Sequence, residues 1–313
     1  MAKLHEAIQQ LLHNISGEVI VPGDPEYEQS SSVLFAKGAP AVIAMPKNAE
    51  DIAKIIAFAR DNKLPVSVRN GGHSPAGHST NIDGLVIDMR HFNEITVIDE
   101  VRRIVRIGAG TTWEMVAKTL QSRGWAISSG DTKTVGVAGL TLAGGIGWMV
   151  RRDGLAIDNL VAAELVTADG RALHASDTEH PDLFWAIRGG GGNFGIATYF
   201  EFIAQPVDHV FAGSIMYDMK DLQKALRGWR DFMRTAPEDL TTMFFVMPAL
   251  GDRPAAIMIM LCHAGGEETE VTKIIEPLLN VGTVTHKDIT RKPYADVLEA
   301  VRAPNGMKVI SNS

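Results

Sequence analysis

Apolar residues recur at helical spacing at the start of the chain and again after residue 48. In the first segment the apolar positions that share one helix face are Leu4, Ile8, Leu11, Leu12 and Ile15. In the second segment they are Ile52, Ile55, Ile56 and Ala59. Asn48 precedes the second segment and Asp51 stands three positions later, which is typical of a helix start. The pattern predicts an amphipathic helix in each place.

Strand-like segments lie between and after these helices. β-Branched or alternating apolar positions predict strands within residues 65–69, 85–90 and 95–110. A hairpin is expected over residues 164–176, because Asp169-Gly170 favours a tight turn. Helices are expected over residues 111–124, where threonines can cap the first turn, and after Pro181, which suits a helix start.

The pattern changes after Gln205-Pro206, where glycine-dense loops stop. Beyond that point two strand-like segments, 211–219 and 255–264, alternate with two helical segments, 222–236 and 268–280. We therefore predict an N-terminal helical segment over residues 1–34, a first domain over residues 35–206 and a second domain over residues 207–313. No internal repeat is evident.

Composition narrows the class of protein. The 313 residues are 45% apolar, which is enough for two packed domains, and the net charge of -7 argues against nucleic acid as a partner. Cys262 is the one cysteine, so an intramolecular disulfide and a cysteine-rich metal site are excluded. We expect Cys262 to be a buried apolar residue and predict no metal site. The N-terminus lacks the apolar core of a signal peptide, and no apolar run reaches the roughly 20 residues of a membrane span, so a cytoplasmic protein is expected.

Three glycine loops stand out among the predicted elements. They are residues 69–78, 130–147 and 189–195, named here the first, second and third glycine loops. Glycine lets several backbone N–H groups converge on a phosphate, because it tolerates positive φ and carries no side chain. Each loop alone is equally explained as a tight turn or a close packing of helix and sheet. Together they favour a large phosphate-bearing cofactor, although not a nicotinamide nucleotide, whose glycine fingerprint would open the first βαβ unit.

His73 is the residue of these loops with the clearest chemistry. Neutral imidazole is a nucleophile near pH 7, and a histidine in a glycine turn could attack a bound ring system. The spacing alone fits an ordinary hydrogen-bonding loop histidine as well. His78 has the same two interpretations and is a candidate for a backbone or supporting contact.

Three segments, taken in order, resemble the flavin oxidases of the vanillyl-alcohol-oxidase-like superfamily, in its berberine-bridge-enzyme-like branch. They are PVSVRNGGHSPAGHS, TVGVAGLTLAGGIGWMVRRDGLAIDNL and DLFWAIRGGGGNFG, and the resemblance runs from about residue 35 to residue 205. It implies an α+β fold: a PCMH-type FAD-binding domain of two subdomains, followed by a substrate domain in which an antiparallel sheet covers the flavin ring. It also implies FAD as the cofactor.

The resemblance assigns the cofactor contacts residue by residue. In the first glycine loop they are Arg69, Asn70, Gly71, Gly72, His73, Ser74, Gly77 and His78, with His73 bonded covalently to the flavin 8α-methyl carbon. In the second they are Gly130, Thr134, Val135, Gly136, Gly139, Gly144, Gly145 and Gly147. In the third they are Asn193, Gly195 and Ile196, the last on the adenine side.

Two positions depart from the family pattern. Some members add a second flavin bond through a cysteine where this chain has Gly130-Asp131-Thr132-Lys133, so attachment through one histidine is expected. Asn70 replaces the usual glycine or serine, and asparagine suits a left-handed backbone position there better than most residues.

The activity implied by the resemblance is oxidation of an alcohol, a sugar or a related small molecule. A hydride would pass from substrate carbon to flavin N5, with dioxygen as the electron acceptor. No catalytic base is assigned, although Tyr217 and Tyr294 are phenolic candidates that fit core positions equally well.

Two other classes of function stay open. The substrate domain is expected to be partial, since family members continue beyond this length, so a truncated flavin-binding protein without turnover is one alternative. A scaffold that keeps the fold without FAD is the other. Unpaired edges of a partial sheet would also favour oligomerisation.

Overall fold

The computed structural model describes residues 2–249, 251 and 254–300. Its helices are α1 (Ala2–Asn14), α2 (Tyr27–Ser31), α3 (Ala49–Asp61), α4 (Trp113–Gln121), α5 (Val137–Leu142), α6 (Val150–Asp153), α7 (Pro181–Gly190), α8 (Leu222–Met233) and α9 (Glu268–Leu279). Short 3-10 turns are formed by Ala156–Asn159, Gly191–Asn193, Met219–Asp221 and Tyr294–Val297.

The strands form three main sheets and one short pair. The strands are β1 (Glu18–Ile20), β2 (Val42–Met45), β3 (Val66–Arg69), β4 (Leu85–Asp88), β5 (Ile95–Asp99), β6 (Ile104–Gly108), β7 (Trp125–Ala126), β8 (Leu160–Val166), β9 (Ala172–Ser176), β10 (Ile196–Ile203), β11 (Gln205–Pro206), β12 (Val210–Tyr217), β13 (Leu240–Met247), β14 (Ala256–Ala264) and β15 (Val284–Lys292). The short pair is β7 with β11. This mixture of helices and sheets confirms the α+β prediction.

The first sheet has the order β1-β2-β4-β3. β2 and β3 both run parallel to β4, and α3 connects them, as a crossover between parallel strands requires. The predicted cap of α3 is confirmed, because the Asn48 side chain accepts a hydrogen bond of 2.9 Å from the Asp51 N–H. α1 packs on α3 through Ile8 and Leu11.

The segment before residue 35 differs from the purely helical segment that the pattern predicted. β1 lies within it and pairs antiparallel with β2, so it extends the first sheet. Three residues are too short for an alternating pattern to be recognised in the sequence. The predicted apolar face is buried at Ile8, Leu11 and Ile15, but Leu4 is partly buried and Leu12 is 37% exposed.

The second sheet is antiparallel, with the order β5-β6-β10-β8-β9. The predicted hairpin of β8 and β9 is confirmed, and Gly170 at its turn has a φ of +85°. α4 begins where expected, but Thr112 makes no side-chain capping hydrogen bond. The main-chain N–H of Trp113 instead donates to the carbonyl of Val135, so the second glycine loop closes this helix end.

The third sheet is antiparallel, with the order β13-β14-β12-β15. α8 and α9 cover one of its faces, burying Phe211, Ile215 and Ile259. On the other face, Ala212 and Cys262 join the core beneath the second sheet. β13 and β15 went unpredicted, and β15 is exposed along most of its length, so its sequence shows no apolar alternation.

Cys262 is buried, as predicted, and burial raises the pKa of its thiol to about 12. No helix in the described part of the chain combines the length and the apolar character that crossing a membrane requires. The domain boundary near residue 206 stays a prediction, although the third sheet begins just after it at Val210.

Candidate cofactor site

The first and second glycine loops are in direct contact with each other. A Cβ atom on Gly71 would lie 2.4 Å from the main-chain nitrogen of Gly136. A Cβ atom on Gly136 would lie 1.6 Å from the side-chain oxygen of Asn70. Real side chains never approach so closely, so both positions need glycine for the two loops to meet. The two loops therefore form one continuous surface.

Asn70 ties this junction together through its side-chain amide. Its Oδ1 accepts a hydrogen bond of 3.3 Å from the N–H of Ala138, and its Nδ2 donates one of 3.5 Å to the carbonyl of Thr111. Its φ is not positive, so the expected left-handed backbone at Asn70 is wrong. Asparagine suits this position because it offers both a donor and an acceptor across the loop junction.

His73 lies at the same junction and faces the second glycine loop. Its Nε2 is 2.8 Å from Oγ1 of Thr134, a hydrogen-bond distance. Its other ring nitrogen, Nδ1, has no hydrogen-bond partner among the residues that the structure describes. Partial burial lowers the pKa of His73 below its ordinary value of 6.5, so the imidazole is neutral at pH 7.

Arg69 has a different position from the rest of the first loop. Its guanidinium is buried and forms an ion pair with Asp88, with Nη2 2.6 Å from Oδ2. It also donates to the carbonyl of Ser30. The Arg69 side chain therefore joins β3, β4 and α2, and only its main chain borders the loop. The sequence could not show this, because the carboxylate partner is 19 residues away and the carbonyl 39.

The remaining predicted residues of the first loop form its outer turn. Gly72 and Gly77 have φ values of +68° and +77°, which glycine adopts without strain. The carbonyl of Ser74 accepts a hydrogen bond of 3.0 Å from the N–H of Gly77. Ser74 is partly exposed and His78 is exposed, so both side chains are accessible from solvent.

The second glycine loop contains a helix, α5, where the sequence pattern indicated only loop. Gly130, Gly145 and Gly147 pack tightly within the protein, since Cβ atoms there would lie 2.7, 2.3 and 1.4 Å from other protein atoms. Close packing, the alternative that the sequence left open, explains these three glycines. Gly144 has a φ of +106°, which also favours glycine.

Gly139 differs from these packed glycines. It lies on α5 and is exposed, and a Cβ atom there would meet no atom within 4 Å beyond its own helix. Thr134, which faces His73, is exposed as well, while Val135 is partly buried. The protein's own packing thus does not explain the glycine at position 139.

The third glycine loop reaches α5 from the other side. α7 and the 3-10 turn Gly191–Asn193 both pack against α5. Asn193 is exposed and donates a hydrogen bond of 2.7 Å to the carbonyl of Gly190. Gly195 has a φ of +154° and lies close to the carbonyl of Val166, while Ile196 begins β10 and is buried in the core of the first sheet.

The structure therefore brings all three glycine loops together around α5. The arrangement fits FAD in the chemistry of its groups: bare glycine main chain for phosphate contact, and a neutral imidazole for the ring system. The accessible main chain at Gly139, Gly189, Gly191 and Gly192 meets no neighbouring protein atom at the Cβ position.

Comparison with known proteins agrees with this geometry. A family model described as an FAD binding domain matches residues 40–176. An FAD-linked oxidoreductase of Bacillus subtilis, YgaK, is 32% identical over 93% of this chain and 65% of its own length. (R)-6-Hydroxynicotine oxidase of Paenarthrobacter nicotinovorans is 33% identical over 91% of this chain and 63% of its own length.

The chain contains an FAD binding domain and is similar to FAD-linked oxidoreductases.

FAD is accordingly the cofactor of this chain, as its sequence predicted. The crystal structure of 6-hydroxy-D-nicotine oxidase from Arthrobacter nicotinovorans superposes with a TM-score of 0.85 at 33% identity, covering 91% of this chain and 63% of that one. A berberine-bridge-enzyme-like protein of Physcomitrella patens shares the fold, with a TM-score of 0.81 at 24% identity, over 91% of this chain and 61% of its own. The chain thus spans less than two thirds of the length of these relatives.

Neither tyrosine candidate for catalysis is exposed in the structure. Tyr217 is buried under the third sheet and donates a hydrogen bond of 2.9 Å to the carbonyl of Leu278. Tyr294 is buried, with its hydroxyl 3.0 Å from that of Ser129. Burial raises the pKa of both phenols, so both stay protonated at neutral pH. They occupy the core positions that the sequence left as their alternative.

The sequence missed one group of residues beside the second glycine loop. Glu299 exchanges main-chain hydrogen bonds with Asp131 and Lys133, at 2.7 and 2.9 Å, and Ser129 contacts Tyr294. These contacts join residues about 165 positions apart, so no local signal in the sequence could have revealed them. In the part of the chain that the structure describes, no cluster of His, Cys, Asp or Glu could hold a metal ion.

Proposed function

We propose that the protein is an FAD-dependent oxidase in which His73 holds the flavin by a single covalent bond. Its substrate is an alcohol, a sugar or a related small molecule that loses a hydride from carbon. When bound, FAD accepts that hydride and passes the two electrons to dioxygen.

The hydrogen bond between His73 and Thr134 is the observation that carries the proposal. When the Nε2–H donates to Oγ1 of Thr134, the lone pair of the neutral ring lies on Nδ1. Nδ1 then is the nucleophilic nitrogen, and the hydrogen bond fixes the plane of the ring. In that tautomer Nδ1 is left free to react, and partial burial lowers the pKa of the ring and keeps it unprotonated at neutral pH.

Attachment would replace a C–H bond of the flavin 8α-methyl group with a bond from that carbon to His73. Forming the C–N bond would release the methyl hydrogen as a proton and two electrons, which the flavin would take up and dioxygen would then remove. With no cysteine within residues 129–133, this histidine is the attachment point that the first and second loops provide.

The open face of the third sheet supports a small organic molecule as the substrate. This face begins at Ala212 and Cys262, which pack on the core beneath the second glycine loop. It continues over partly exposed side chains in register with one another: Ser214, Met216, Met243, Met258 and Met260, with Phe245 more exposed. Thioether and aromatic groups adapt well to a small molecule with apolar surface.

The relatives support the same class of substrate. They include oxidases of 6-hydroxynicotine, chitooligosaccharide and xylooligosaccharide. We take from them that the protein oxidises a small molecule, with the choice among these chemistries set by the third sheet and the segments around it.

Acid precipitation of the purified protein tests the attachment. Flavin absorbance should stay with the polypeptide in the unmodified protein and in His78→Ala, the matched control from the same loop. It should move to the supernatant in His73→Ala. Flavin released from the unmodified protein would refute the covalent bond.

Anaerobic mixing with a panel of alcohols, sugars and hydroxylated aromatic amines tests turnover. Bleaching of the flavin band by one of them, followed by recovery in air, is the expected result. Bound flavin that no member of the panel reduces would favour a flavin-binding protein without turnover.

A further inference from the structure

A segment that follows the third sheet lies against the second glycine loop. This segment, Tyr294–Glu299, is named here the clasp. Glu299 forms a parallel β-bridge with Thr132. Its N–H donates to the carbonyl of Asp131 at 2.7 Å, and its carbonyl accepts from the N–H of Lys133 at 2.9 Å. The far end of the clasp is therefore held to the loop by its main chain.

The near end of the clasp is held by a side chain. The hydroxyl of Tyr294 lies 3.0 Å from Oγ of Ser129, and these residues are 5% and 1% exposed. Burial raises the pKa of Tyr294, so the phenol stays protonated, and either hydroxyl of the pair can be the donor. Buried hydroxyls of this kind need a partner, because an unmade hydrogen bond costs the desolvation of both groups.

Apolar contacts keep the clasp in place between its two ends. Ala295 and Leu298 are buried at 4% and 2% exposure in the core that also contains Trp113 and Val137. The clasp packs against α4 and β12 as well, so it bridges the second and third sheets. Its position is consequently determined by both sheets and not by the loop alone.

The residues that the clasp holds lead directly into the cofactor site. Ser129 to Lys133 immediately precede Thr134, whose hydroxyl contacts His73, and Gly136, which abuts Gly71. A shift of Ser129 or Lys133 would therefore move the hydroxyl that orients His73. Ser129 is doubly restrained, since its carbonyl also lies against Gly147.

We propose that Tyr294 is a positioning residue for the flavin, which acts by fixing Ser129 and with it the second glycine loop. This inference rests on the proposed role of that loop in holding the cofactor. It assigns to the clasp a coupling between the third sheet and the flavin site, through hydrogen bonds that no substrate contacts. Tyr294 itself need not touch the cofactor.

The test compares Tyr294→Phe with Ser129→Ala, which removes the same hydrogen bond from its other end together with the one of 3.1 Å that the Ser129 hydroxyl donates to the carbonyl of Gly130. Tyr217→Phe is the matched control, because that buried tyrosine also loses a hydroxyl contact, to Leu278, far from the glycine loops. FAD is titrated into each variant in a His73→Ala background, where binding is reversible. The visible circular dichroism of the flavin is recorded on each variant with His73 retained.

We expect Tyr294→Phe and Ser129→Ala each to weaken FAD binding about three- to tenfold, the effect of losing one neutral hydrogen bond. The double variant should bind FAD no more weakly than Ser129→Ala alone, because Tyr294→Phe removes an interaction that Ser129→Ala already lacks. The flavin dichroism should change in both, and Tyr217→Phe should leave affinity and dichroism unchanged.

Equal FAD affinity and unchanged dichroism in Tyr294→Phe and Tyr217→Phe would overturn the inference, even if both lose stability. If Tyr294→Phe does not fold, Ser129→Ala decides by the same two measurements. A protein that takes up no flavin with His73 and Tyr294 both intact would instead refute the proposed function.

Discussion

Replacing Gly139 with alanine separates the cofactor's requirement for glycine from the protein's own. Gly139 lies within α5, and an added Cβ atom would meet no atom within 4 Å beyond that helix. Alanine is favoured over glycine inside a helix by about 0.5–1 kcal/mol. The free energy of unfolding of flavin-free Gly139→Ala should therefore rise by about that amount.

FAD binding should change in the opposite direction. If the flavin or its pyrophosphate lies against the main chain of α5, a methyl group there intrudes on the contact. We expect at least about a tenfold loss of affinity, which equals about 1.4 kcal/mol. The two effects have opposite signs, so a general loss of structure cannot mimic them.

The assay uses two measurements on the His73→Ala background, in which FAD binds reversibly. Urea denaturation of the flavin-free protein gives the free energy of unfolding, and fluorescence titration gives the dissociation constant of FAD. Gly136→Ala is the contrasting variant, because its Cβ atom would lie 1.6 Å from Oδ1 of Asn70 and should damage folding and binding together. If Gly139→Ala is more stable than its parent but binds FAD equally well, the assignment of Gly139 to the cofactor site is refuted.

Two further predictions concern charge. Because partial burial lowers the pKa of His73 below 6.5, the rate of flavin attachment should rise with pH around a midpoint below 6.5 and then level off; a midpoint above 6.5 in a pH series would contradict this. Burial tends to raise the pKa of Asp88, but Arg90 and Arg69 outweigh it, so its folded pKa is below 3.8. This stabilisation is complete above the unfolded pKa and is lost as the pH falls through the folded value. Asp88→Asn should destabilise the protein at pH 7 by about 3–5 kcal/mol, because Arg69 is left buried without its charge partner. Urea denaturation at pH 7 and pH 3 should show that the variant loses less unfolding free energy on acidification than the parent does. If both proteins lose the same unfolding free energy between pH 7 and pH 3, the pH dependence comes from other carboxylates.

The sequence alone determined the local features of the molecule. The cap at Asn48, the hairpin turn at Gly170 and the helix start at Pro181 lie where the pattern placed them. Each depends on backbone conformation or hydrophobic period within a few residues, and such preferences act before any distant contact forms. The three ordered glycine motifs also identified the family and FAD, because they preserve residue types in a fixed spacing.

Tertiary structure decided which of these residues can serve the cofactor. It assigned Arg69 to an ion pair with Asp88 and Gly147 to packing against Ser129, and left Gly139 open. It also placed Tyr294 on Ser129 across 165 positions of the chain. The glycines of the second loop look alike in the sequence, since a glycine records only that a side chain is absent. Whether protein or ligand fills the space beside it depends on how distant strands and helices pack, which local propensities do not specify.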